Sequence, residues 1–377
     1  MIELEYVLPL RWTSDDGLDE LTDYLSWLCC LVDVTVVDGS PPDRYAIHAA
    51  RWRGLVRHTP PDPAARFANG KVNGVVTGVA LARHEHVLIA DDDVRYDEAG
   101  LRAVAERLAV AHLVRPQNYF APLPWHARWD TARSLLNRSF GADYPGTLGI
   151  RRSTFAAMGG YDGDVLFENL ELIRTVRAHG GAEAHLPGCY VRRLPPDPRR
   201  FWSQRVRQAY DDFAQPVRLM TFLAVLPALA GALAGRRPGP VLGAAAGAVV
   251  LAEVGRRRAG GAAVFPATTS LMAPVWILER AACSWAALGQ RVLYGGVRYS
   301  GRRLRVAAHS QRELVAAQRG AGAPARNLTT LCVPSQNGLI ADLPQRHSAT
   351  VSRRGSMVSP SGVNSAKSPR TSSGPSS

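Results

Sequence analysis

An open, mostly parallel α/β sheet of Rossmann-like type, followed by apolar helices, is the architecture this chain encodes, and three observations point to it. From about Ile2 to Tyr210, short apolar runs alternate with helical stretches, the rhythm of strands joined by crossover helices. Two of those runs end in acids, at Asp38 and at Asp91-Asp92-Asp93. After Pro216 the chain turns apolar in three segments separated by arginines.

Taken in order, Tyr6–Leu10 reads as the first strand, Gly17–Leu31 as a helix, and Val34–Val37 as a second strand that stops at Asp38-Gly39-Ser40. Arg66–Ala82 reads as a helix entered through the Gly-rich turn Gly70-Lys71-Val72-Asn73-Gly74. Val87–Ala90 is a buried strand that breaks off in the three acids. Thr147–Ile150 is a further short strand. Phe167–His179 is a helix closed by Gly180-Gly181, as helix C-termini commonly are.

Open α/β sheets bind ligands outside the carboxyl ends of their strands, so Asp38 and the acid triplet are expected to face one crevice. Three adjacent carboxylates repel one another unless a cation joins them. The alternate acids Asp91 and Asp93 suit a hard divalent ion, Mg2+ or Mn2+, that is shared with a substrate's phosphates. Lys71 is one of two lysines among forty-three arginines, and a compact ammonium is a point charge that a guanidinium does not replace.

The chain has 377 residues and 46% hydrophobic content, enough to build a core. Its +13 charge is uneven: from Arg298 onward twelve Arg or Lys face only Glu313 and Asp342, leaving +10 there. A basic end that follows apolar segments is drawn to anionic headgroups, and nucleic acid is not an expected partner. The five cysteines show no metal-ligand spacing, and their odd number argues against a disulfide framework. The N-terminus carries no basic leader followed by an apolar stretch. Both features fit a catalytic region in the cytoplasm.

Val217–Gly235, Pro240–Gly255 and Ala262–Leu278 sit at the short edge of what a bilayer requires. An even number of crossings keeps the basic C-terminal end on the cytoplasmic side. Gly295–Ala308, with Arg298, Arg302, Arg303 and Arg305 around Tyr299, reads as a basic segment at the membrane surface. The expected division is a cytosolic domain over 1–215, a membrane region over 216–310, and a disordered, basic Ser/Pro-rich tail over 311–377.

The ordered motifs between Tyr6 and Phe213 resemble those of the family-2 inverting glycosyltransferases with the GT-A fold, most nearly the ceramide- or hopanoid-type membrane branch. Val37-Asp38-Gly39-Ser40 resembles the nucleoside-binding acid, Gly70-Lys71-Val72-Asn73 the segment before the DXD strand, and Asp91-Asp92-Asp93 the DXD motif. Gly149-Ile150-Arg151-Arg152 through Gly159-Gly160-Tyr161-Asp162 is similar to the stretch before the family's Glu-Asp pair. Gln204-Arg205-Val206-Arg207-Gln208 resembles Q-x-x-R-W.

That resemblance implies transfer of a sugar from a nucleotide-sugar, UDP-linked in preference to GDP-linked, to a hydroxyl of a lipid or lipid-linked acceptor. Asp91 and Asp93 would hold the metal, with Asp91 also facing the donor. Asp38, Lys71, Gln204 and Arg205 would contact the donor, while Arg207 would offset charge on the departing diphosphate. Glu168 stands beside Asn169, which occupies the place of the family's proton-accepting Asp. An Asn cannot take a proton, so Glu168 becomes the expected base, with Glu171 and Asp162 behind it. The same departure, with Gln208 in place of Trp, leaves a second reading: a sugar-nucleotide-binding scaffold for envelope glycan assembly that does not turn over.

Overall fold

The computed structural model describes residues 1–299 and 301–320. Its central sheet starts with β1 (Glu5–Leu10), β2 (Asp33–Asp38) and β3 (Arg57–Thr59). It continues with β4 (His86–Ala90), β5 (Val94–Arg95) and β6 (Leu113–Phe120), and ends with β7 (Thr147–Arg151) and β8 (Glu183–Arg193). The spatial order is β3-β2-β1-β4-β7-β6-β8-β5.

Four of the seven neighbouring pairs are parallel, β1 with β2, β1 with β4, β2 with β3 and β6 with β8, so the sheet is mostly parallel as expected. β7 runs antiparallel between β4 and β6, and β5 runs antiparallel at the edge against β8. Strands β1 and β4 are buried on both faces. That is why they read as unbroken apolar runs rather than as alternating ones.

Helices cover both faces. α1 (Leu18–Leu28) turns Leu21, Leu25 and Leu28 inward, at i, i+4 and i+7. α2 (Pro42–Arg51) follows β2, and α3 (Gly70–Leu81) starts on the N-cap Asn69, whose side chain accepts from the Lys71 amide. α4 (Glu98–Leu108) is capped in the same way by Asp97. α5 (Trp125–Ser139), α6 (Arg152–Ala157) and α7 (Glu168–Ala178) follow. α8 (Pro198–Tyr210) has Pro at its first position and Asp197 as cap, the arrangement that leaves fewest orphan amides.

Beyond the sheet lie α9 (Pro216–Ala234) and α10 (Pro238–Arg257). These are the two described helices long and apolar enough to cross a membrane. They are joined through Arg236, which adopts a positive φ of 51°. The base of α10 lies directly on α5: a Cβ added at Gly255 would stand 1.9 Å from the Leu135 carbonyl oxygen, so only glycine permits this crossing. Arg138 locks the junction, donating to the Gly255 carbonyl at 3.0 Å and to the Arg258 carbonyl at 2.6 Å.

The third apolar segment does not form a membrane helix. Residues 258–263 and 267–272 are 3₁₀ turns around Gly260 and Pro266. α11 (Ala273–Tyr294) then begins inside the expected span and packs inward through Trp276, Arg280 and Ser284.

The basic segment over 295–308 is a hairpin of β9 (Val297–Tyr299) and β10 (Arg302–Leu304), whose continuation pairs with the protein at Leu166 and Phe167. Residues 311–320, expected to begin the tail, instead form α12 (Gln311–Gly320). Ser310 and Glu313 make the reciprocal N-terminal hydrogen bonds that favour a helix there. The rest of the expected tail, 321–377, lies outside the described residues.

Candidate functional site

The carboxyl ends of β1, β2 and β4 open onto a polar cavity of about 1090 Å³. Its floor is the turn that follows β4. Lys71, in the first turn of α3, places Nζ 2.6 Å from Asp91 Oδ1 and 2.7 Å from Glu168 Oε1. Burial works against that ammonium, yet the two carboxylates outweigh it and hold Lys71 firmly protonated. Asp92 accepts a hydrogen bond from the Trp12 indole, and the Trp12 amide donates to Ser40 Oγ at 2.8 Å. The end of β2 is thereby tied to the acid turn.

Arg193 was not legible as a site residue. It ends β8, beside the acids because β5 pairs with β8 and the Leu194 amide donates to the Asp93 carbonyl at 2.8 Å. Its Nε lies 3.0 and 2.9 Å from the two Asp93 oxygens, and Nη2 lies 3.3 Å from Asp91 Oδ2. Burial raises the Asp93 carboxyl to about 6, Asp91 and Asp92 add repulsion, and Arg193 opposes the rise. Gly146 leaves the room this cluster needs, since a Cβ there would sit 2.6 Å from Asp91 Oδ2.

Asp91 and Asp93 are hard oxygen donors on a polar cavity and fit a divalent ion by chemistry. In this geometry the Arg193 guanidinium bridges the two carboxylates, so an ion held by both requires that side chain to withdraw.

The facing wall is α8. Gln204, Arg207, Gln208 and Asp211 recur at i, i+3, i+4 and i+7 and all line the cavity. Tyr299 of the β9–β10 hairpin closes it over Arg207, whose guanidinium carbon lies 5.4 Å from the ring centre. The Tyr299 hydroxyl is 3.2 Å from Asn69 Oδ1. Periodicity gives no hint of Tyr299, because its place depends on a hairpin some 230 residues from Asn69 in sequence.

Three expectations need correction. Asp38 does stand at the same sheet edge as the triplet, but its side chain is buried. His48 Nδ1 and His58 Nε2 lie 2.7 and 3.0 Å from Oδ2, and the Ser40 amide donates to Oδ1 at 2.9 Å. Burial would raise this carboxyl; the His58, Ser40 and His48 hydrogen bonds hold it at about 2 instead.

Arg205, one residue past Gln204, turns away from the cavity and is buried. It is 2.7 Å from Asp130 Oδ1 and 3.0 Å from both Glu279 oxygens, and it donates to Gln208 Oε1 at 2.9 Å. It joins the α/β domain to α11 and cannot reach a donor in the cavity. Gln208, where the resemblance expects Trp, is thus an acceptor for this arginine.

Glu168 is not a free base, since its Oε1 is engaged by Lys71. Asn169 donates to the Pro145 carbonyl at 3.1 Å and accepts from Lys71 at 3.3 Å; an ionised Asp could not make the first contact. Glu171 is fully buried, accepting from the His309 amide at 2.7 Å and lying 2.9 Å from His309 Nδ1.

No protein-family model matches the sequence, and no curated protein matches it. Solved structures do match in fold. A mannosyltransferase from Pyrobaculum calidifontis, solved with GDP-Man and Mn2+, is 17% identical with a TM-score of 0.50, covering 75% of this chain and 87% of its own. The fold is of the GT-A type. A glucosyl-3-phosphoglycerate synthase from Mycobacterium tuberculosis, solved with Mn2+, UDP and phosphoglyceric acid, is 18% identical over 53% of this chain and 73% of its own. Its TM-score of 0.39 is too low to carry any argument.

Proposed function

We propose that this protein is a membrane-associated inverting glycosyltransferase that moves a sugar from a nucleotide-sugar, UDP-linked in preference, to a hydroxyl of a lipid or lipid-linked acceptor at the cytoplasmic face. The observation that carries this reading is the juxtaposition of the acid turn and Lys71 with the Arg207 wall of α8 across one polar cavity. A departing diphosphate gathers negative charge, and fixed cations aimed at it lower the barrier. A divalent ion held by Asp91 and Asp93, when bound, would supply further positive charge to the same diphosphate.

The chain's own residues divide the remaining work. Arg207 and Gln204 line the wall the diphosphate would meet, and the guanidinium fork matches its oxygens. Lys71, shared between Asp91 and Glu168, fixes the acid turn against α7. Glu168 is assigned to holding that ammonium.

Support for the membrane comes from α9 and α10, about 28 and 30 Å long at 1.5 Å per residue, close to the thickness of a hydrocarbon core. Val217, Met220, Leu233, Leu242 and Val250 are exposed along them. Two crossings would return the chain to the domain's own side.

Incubating the purified protein with radiolabelled UDP- and GDP-sugars and a lipid extract tests the proposal. Label in the lipid phase is the expected result. Nucleotide binding without any transfer would favour the scaffold reading, which Asn169 and Gln208 motivate.

A further inference from the structure

We infer that Asp211 is the carboxylate that takes the proton from the acceptor hydroxyl. This inference rests on the sugar-transfer reading and names the group that reading leaves open once Glu168 is given to Lys71. Asp211 follows α8 by one residue in helical geometry, with φ −59° and ψ −26°, one turn beyond Arg207 on the cavity-facing stripe. It is half-buried.

The other acids around the cavity have partners. Asp91 and Asp93 are bound by Lys71 and Arg193, Asp92 by Trp12, and Asp130 by Arg205. Asp212, the next residue, is ion-paired at 3.0 Å with Arg218 and at 3.3 Å with Arg280. Asp16 is the one exception, without a side-chain partner among the described residues, but it is exposed. Asp211 makes no side-chain hydrogen bond or ion pair among the described residues.

Asp211 opens the 3₁₀ turn over 211–214 that continues from α8. The charged groups that act on it are Arg207 of its own helix, Arg280 of α11, its neighbour Asp212 and Glu168 of α7. Burial lifts the carboxyl to about 8, Arg207 and Arg280 oppose the rise, and Asp212 and Glu168 add to it. A proton acceptor works best when its affinity lies near the working pH.

The step balances without a further reactant. The acceptor O–H bond breaks, its proton passes to an Asp211 oxygen, and the hydroxyl oxygen forms the new bond to the anomeric carbon. The bond from that carbon to the diphosphate breaks, and its electron pair leaves with the diphosphate.

The test uses the full chain in lipid nanodiscs. Donor binding is followed by calorimetry, and diphosphate release in a lipid extract is followed for wild type, Asp211→Asn and Glu168→Gln. Asp211→Asn should keep donor affinity within about threefold and lose about a hundredfold or more in turnover, the usual weight of such a group. Wild-type single turnover should rise with pH through an inflection near 8, and that limb should vanish in Asp211→Asn.

Asp211→Asn turning over at wild-type rate, or a wild-type profile flat from pH 6 to 9, overturns the inference while sugar transfer stands. A wild type that neither binds nor cleaves any donor overturns both. Should Asp211→Asn fail to fold, Asp211→Ser and the wild-type profile decide in its place.

Discussion

The two walls of the cavity are built on opposite principles. On the sheet side, Asp91, Asp92 and Asp93 are all held by fixed donors, and the cluster is crowded enough that Gly146 has no room for a methyl group. On the α8 side, Arg207 and, just past the helix end, Asp211 line the cavity, while Arg205 seals the helix against α5 and α11. Acids repel less when cations are built in, so the sheet wall is arranged in advance for a charged ligand. The α8 wall keeps a titratable group unspent. Under the proposed function, the metal-binding acids and the proton acceptor stand on different elements.

The sharpest way to break the contrast is through the seal of α8. Arg205→Ala strands Glu279 and leaves Asp130 with Arg133 alone, at 3.5 Å, and such a broken buried pair costs about 3 to 5 kcal/mol. Denaturant unfolding followed by tryptophan fluorescence should show that loss, with the stripe of Arg207 and Asp211 disordered as a consequence. A change below about 1 kcal/mol, the worth of a surface pair, would mean that the seal does not hold the wall.

Arg193→Met addresses the sheet wall. Removing the guanidinium leaves Asp91 and Asp93 repelling one another, so the melting temperature should fall without metal and rise more steeply with Mn2+ than in wild type. An unchanged Mn2+ response would show that Arg193 does not compete for the two carboxylates. Gly146→Ala tests the same crowding, and donor affinity should drop as the new Cβ displaces Asp91.

Acid titration gives a smaller effect. The Asp38 carboxyl is depressed to about 2 when folded, below its ordinary value near 4. Its contribution to stability is therefore complete above about pH 4 and lost as pH falls toward 2. Asp38→Asn should remove that segment of the stability profile. Asn169→Asp should have the smallest effect of all, a modest loss of stability from the forfeited bond to the Pro145 carbonyl.

Much of the architecture was legible. The strands ending at Asp38 and Asp91, the helix that presents Lys71 and the helix that presents Glu168 lie where apolar runs and Gly180 put them, because local propensity and packing agree there. The third apolar segment misled, since its composition suits a bilayer but Gly260 and Pro266 interrupt it. Residues placed by their backbone neighbours were legible in position, whereas contacts made by distant pairing were not.

By itself, then, the chain determined which acids stand at strand ends, which lysine stands near them, and that apolar helices follow the sheet, since each of these depends on residues a few positions apart. Only the tertiary structure decided that Arg193 bridges acids a hundred residues earlier, that Tyr299 closes the cavity, that Arg205 is buried and that Asp211 has no side-chain partner among the described residues. Those outcomes follow from strand register and helix rotation, which are set when the core packs as a whole. A 100° step along α8 separates a structural arginine from a stripe that faces the ligand cavity.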